Sequence, residues 1–146
     1  MPNYTERWTE ANRPTIIDPA SRNNATVNSD WVALRDYHRA VGLVQVGALA
    51  AGATVNASIL QAKDTDGTSS KAITGKAITA LTDVDDSKIV AIEVRTEELD
   101  VDAGFDCIRL QIVTAGGAAA LTSGLLIRFN SRFSPVGAAA FDEVVD

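Results

Sequence analysis

Of the side chains that ordinarily carry catalysis, this 146-residue chain holds one histidine, His38, and one cysteine, Cys107. A hydrolytic nucleophile needs a base held against it, and His38 is the only imidazole that could serve. It lies between Tyr37 and Arg39 at the edge of an apolar stretch, where a surface or turn histidine is expected. A histidine-rich metal site is excluded by the count alone. Cys107 reads as a buried strand residue, because nothing beside it in sequence would lower its pKa. One cysteine also excludes an internal disulfide.

The carboxylates are better supplied. Asp64 with Asp66, Asp83 with Asp85 and Asp86, and Asp100 with Asp102 offer oxygen ligands of the kind calcium takes. None reproduces the twelve-residue calcium loop with its glycine and terminal glutamate, and turns use aspartate in any case. Gly116-Gly117 and Gly75 are not followed by the lysine and hydroxyl residue of a phosphate loop. The Asn-x-Ser/Thr triplets at Asn3, Asn24 and Asn56 read as chance occurrences. No catalytic residue, cofactor or metal ligand is expected.

The scarcity of chemistry turns attention to the scaffold. A chain of this length makes one domain with a core that needs no staples. Acidic residues exceed basic ones by 19 to 13, a formal charge of −6. That balance favours solubility and disfavours nucleic acid, which would need a basic stripe. The start, Met1-Pro2-Asn3-Tyr4, lacks the basic residues and apolar core of a secretory signal. No apolar run approaches the roughly 20 residues of a membrane span.

Residues 1–29 read as an extended arm, since Pro14 and Pro19 restrict both helix and strand. Tyr4, Trp8, Ile16 and Ile17 are its candidate anchors on a neighbouring subunit, because aromatics concentrate where interfaces are desolvated. From residue 30 the alternation is that of strands. Residues 40–46 place Val41 and Leu43 on one side and Val44 and Val46 on the other. Two apolar sides suggest a central or interface-lining strand. Residues 54–62 and 88–95 alternate cleanly, and 105–113 turn Ile108, Leu110 and Ile112 inward with Arg109 and Gln111 outward. Between 71 and 82, Gly75 marks a bend or a bulge. Glu97 and Glu98 suit a single helical turn.

The pattern is all-β: a β-sandwich or jelly roll of seven to eight short antiparallel strands over 30–136, with a tail at 137–146. Strand order does not follow from spacing. Trp31, Phe133 and Phe141 join the arm residues as interface candidates.

Several runs carry a resemblance. They are Val44-Gln45-Val46-Gly47-Ala48-Leu49-Ala50-Ala51-Gly52, Ala62-Lys63-Asp64-Thr65-Asp66-Gly67-Thr68, Glu97-Glu98-Leu99-Asp100-Val101 and Phe105-Asp106-Cys107-Ile108-Arg109-Leu110, with Arg132-Phe133-Ser134-Pro135 closing the match. Together they resemble a family of small structural virion proteins of tailed bacteriophages and prophages. The resemblance implies a non-enzymatic decoration or cement protein on the capsid exterior, made in the bacterial cytoplasm. It further implies a trimer, with the major capsid protein as partner and no nucleic acid or membrane contact. A tail, connector or baseplate component is the alternative, followed by a carbohydrate-binding sandwich and a small hydrolase dependent on His38.

Overall fold

The computed structural model describes residues 7–133 and 141–145. One helical turn, α1 (Trp8–Ala11), precedes strands β1 (Arg13–Arg22), β2 (Thr26–Asn28), β3 (Val32–Ala33), β4 (Tyr37–Leu49) and β5 (Thr54–Ala62). After these come β6 (Lys71–Ala77), β7 (Leu81–Thr82), β8 (Ile89–Arg95), β9 (Cys107–Ala115) and β10 (Ala120–Ser131).

The four-stranded sheet runs β1-β10-β4-β8. The six-stranded sheet runs β2-β9-β5-β6, with β3 also on β9 and β7 also on β5. Every pairing is antiparallel. Counting β2 with β3 and β6 with β7 as interrupted single strands leaves eight, interleaved between two sheets as in a jelly roll. The interruptions have local causes. Between β2 and β3, the Ser29 hydroxyl accepts the Leu110 N–H at 3.0 Å, and the Ser29 N–H donates to the Leu110 carbonyl. Within β6, Gly75 takes a φ of 78° and the pairing with β5 shifts register between Ser58 and Leu60. The sequence left bend and bulge open there, and the chain makes a bulge at a glycine bend.

The expected arm is largely strand. β1 follows β10 from Arg13↔Arg128 to Arg22↔Ala120, and β2 pairs with β9. The boundary drawn at residue 29 therefore falls inside the sandwich, and among the described residues those that precede the sheets are 7–12. The prolines permit this because β1 is an edge strand, where a missing N–H costs no ladder bond. A register shift between Ile17 and Ala20 absorbs Pro19. Two strands are also long rather than short: β4 has 13 residues and β10 has 12.

Between the sheets lies a core that includes Leu34, Val44, Val55, Ile59, Ile108, Leu110, Ile112 and Leu126. Leu110 shows how closely the sheets approach. A β-carbon at Gly42 would lie 3.0 Å from one of its methyl groups, and one at Gly124 would lie 2.9 Å from the other. The two glycines, on neighbouring strands β4 and β10, thus form the seat for a leucine from the opposite sheet. At one end of the sandwich the turn after β9 meets the turn after β4. A β-carbon on Gly116 (φ 92°) would stand 1.9 Å from the Gly52 carbonyl oxygen, so this contact requires glycine.

Candidate interaction surfaces

The groups first considered for chemistry are occupied structurally or stand apart. His38 is exposed on β4. Cys107 is buried, and burial together with the neighbouring Asp106 carboxylate pushes its thiol up to about 12. A thiol held that far from ionisation is a poor nucleophile. The aspartates act as turn caps. Asp64 accepts the N–H groups of Asp66 and Thr68, Asp83 that of Gly52, Asp85 that of Thr82 and Asp86 that of Leu49. Among the described residues no three of His, Cys, Asp and Glu gather where they could hold a metal ion. No described helix is long and apolar enough to cross a membrane.

What the strands do build is a pair of contrasting outer faces. Because side chains alternate, β4 turns Val44 and Val46 into the core and Val41, Leu43 and Gln45 outward. Register then aligns its neighbours. Leu43 lies opposite Leu125 of β10 and Ala91 of β8, and Leu125 lies opposite Ile16 of β1. The row Ile16–Leu125–Leu43–Ala91 therefore crosses all four strands. The next row holds Pro14, Ile127, Val41 and Glu93, with Ile127 already buried within the chain, and on the other side Ser123 and Gln45 lead to Ile89. Ile16 is 59% exposed, Leu125 38% and Ile89 65%. A shallow depression bordered by Leu43, Ile89, Leu125 and Gly124 sits in the middle.

The six-stranded sheet is finished differently. Its outward residues include Thr54, Asn56 and Ser58 on β5 and Arg109 and Gln111 on β9. Its aromatic rings are covered by cations: the Arg109 guanidinium lies 4.5 Å over Trp31 and the Lys71 ammonium 4.2 Å over Phe105. Trp31 is also held by the 64–67 loop, since a β-carbon at Gly67 would come within 2.5 Å of its Nε1.

These positions sort the sequence candidates. Ile16 stands exposed on the apolar face. Ile17, one residue on, is buried in the core, which corrects its reading as an anchor; the period of two sends neighbours to opposite faces. Trp31 is half-buried under Arg109 on the opposite sheet, so it does not join the others. Trp8 is 58% exposed, and its ring centroid lies 6.0 Å from that of Phe141. Phe133 is 74% exposed. Tyr4 lies outside the described residues. The patch formed by Leu125, Leu43 and Ile89 was not singled out from the sequence, although the two-sided apolar pattern of 40–46 was its signal.

No family model matches the sequence. No curated protein matches it either. Solved structures with some likeness include the infectious bursal disease virus VP2 subviral particle, at 17% identity and a TM-score of 0.48. The match covers 86% of this chain and 34% of that one, so the chain spans about a third of the virus protein. A Bacillus endospore appendage, from a family of disulfide-linked pili, gives 13% identity and a TM-score of 0.41, covering 89% and 99%. The SPBc2 prophage-derived protein YomS gives 9% and 0.43, covering 80% and 94%. At TM-scores below 0.5 these likenesses carry no argument, and the jelly-roll assignment rests on the strand order described above.

Proposed function

We propose that this chain is a non-enzymatic structural component of a tailed bacteriophage particle, a decoration or cement protein that sits on the capsid exterior and binds major capsid subunits. The observation that supports this most directly is what the fold presents outward: an apolar sheet face and an exposed aromatic end, with the aspartates spent on holding turns. The aromatic end consists of Trp8 and Phe141, in contact with each other, and exposed Phe133. It is the surface assigned here to the shell. A protein that binds only the assembled shell stabilises it by linkage, and many weak contacts suffice when copies repeat.

Quantitative mass spectrometry of separated heads and tails from particles of the source tests this reading. Many copies on heads support it. A few copies on tails would move the protein to the tail, connector or baseplate, and absence from both would refute a virion role. Because β1 begins at Arg13, the deletion that probes attachment is residues 1–12 rather than 1–29. We expect it to lower head occupancy while leaving the circular dichroism spectrum unchanged.

A further inference from the structure

The outward face of the four-stranded sheet has a charge arrangement along its strands. Its centre is the apolar row Ile16–Leu125–Leu43–Ala91. At one end, Arg39 and Arg95 lie directly opposite each other across β4 and β8. Like charges in that register are unfavourable in an isolated sheet. His38, Asn130 and Arg132 join them around a cavity of about 300 Å³; Glu97 lies 3.3 Å from Arg95 and Glu93 stands on the same face of β8, so among the described residues this end holds the guanidinium groups of Arg39, Arg95 and Arg132 against those two carboxylates. At the other end of β8 and β4 stands the aspartate turn, Asp83, Asp85 and Asp86, with Lys88 paired to Asp85, and on β1 the exposed Asp18 lies toward the same end beside Arg22, so carboxylates outnumber cations there. The face is therefore apolar in the middle, with a surplus of positive charge at the Arg39–Arg95 end and of negative charge at the other.

We propose that the occupant of this face is the same face of a second copy, turned by 180° about an axis that runs across the strands. That rotation lays apolar row on apolar row and sets the arginine end of each copy over the aspartate end of the other. A two-fold axis along the strands would instead stack arginine on arginine, so the charges select one symmetric arrangement. Size agrees as well. A four-stranded face of this length measures on the order of 40 Å by 20 Å, or about 800 Å², which is roughly what each partner contributes to an interface of ordinary size. Pairing through the β1 edge is a poorer route, because Pro14, Pro19 and the register shift blunt that strand. The pairing goes beyond the virion reading and holds or fails without it.

Sedimentation velocity on the full chain across a wide concentration range is the test. The expected result is a monomer–dimer equilibrium that Leu125→Asp weakens by about 100-fold, the scale of placing a charge at the centre of an apolar contact. Circular dichroism checks that variant's fold, and Leu125→Gln replaces it if aspartate disturbs the sheet. Raising salt or introducing Arg39→Glu should weaken the dimer further. For symmetry, a short bismaleimide should link Leu43→Cys chains to one another and fail with Asn56→Cys on the opposite face. A chain that stays monomeric, a dimer indifferent to Leu125→Asp and Leu125→Gln, or a trimer such as the resemblance implies would each overturn the proposal.

Discussion

Along β9 the outward side chains are Arg109, Gln111 and Val113; along β10, its counterpart within the other sheet, they are Leu121, Ser123, Leu125 and Ile127. Both strands send apolar residues into the core, Ile108, Leu110 and Ile112 from one and Leu126 beside Gly124 from the other. The inward faces are alike because they share one core. The outward faces answer to different surroundings. On the six-stranded sheet polar groups face outward, with the Gln111 amide donating to Asn28 at 2.9 Å and the rings lying under cations. On the four-stranded sheet, isoleucine and leucine meet solvent across four adjacent strands. An apolar row that runs unbroken across four strands is the kind of surface an interface uses.

The largest effect expected in testing that contrast is on the shared core. Leu110→Ala should cost about 3–5 kcal/mol in urea unfolding, since the glycine seat at Gly42 and Gly124 leaves a cavity that rigid strands cannot close. A loss below about 1 kcal/mol would mean that the two sheets are not locked through this residue. Gly124→Ala comes next, at roughly 1–3 kcal/mol, because its new methyl would press on the same leucine. On the six-stranded face, Arg109→Ala should cost about 1 kcal/mol by uncovering Trp31. The matching change Leu43→Ser on the four-stranded face should leave monomer stability within about 0.5 kcal/mol while loosening self-association. Equal responses at the two positions would erase the distinction between a closed face and an open one.

The smallest effect concerns the aspartate turn. Asp85 is lowered from 3.8 to about 2, first by its hydrogen bond from the Lys88 ammonium and then by the Thr82 N–H. A folded-state value below the unfolded one gives stability that is present above about pH 4 and lost as pH falls toward 2. Asp85→Asn should therefore lower the melting temperature slightly at neutral pH and flatten the acid limb of its profile, so that variant and parent converge toward pH 2. An unaltered acid limb would show that the turn does not depend on this charge. Cys107 gives a parallel check at high pH: its raised thiol should resist alkylation at pH 8 until the chain unfolds.

Strand content was legible where alternation was undisturbed. Residues 54–62 coincide with β5, the inward and outward sets on β9 are as read, and the helical turn at Thr96–Glu98 lies where the glutamates placed it. The two apolar sides of residues 40–46 also foretold a central strand, with the core on one side of β4 and apolar side chains on the other. Prolines misled the reading of β1. Proline excludes a central strand, but an edge strand tolerates it, and whether a strand is an edge is a property of the sheet. The separation of Ile16 from Ile17 was hidden for the same reason.

What the sequence determined by itself is the all-β class, the absence of residue patterns for metal or phosphate chemistry, and the alternation that makes each strand two-faced. These follow from residue type and period, which are local. The tertiary structure decided which strands are neighbours, and so which side chains share a row. Ile16, Leu125, Leu43 and Ala91 are far apart in the chain and say little separately. They become one surface because antiparallel register brings them side by side, and register is set by the packing of the whole sandwich.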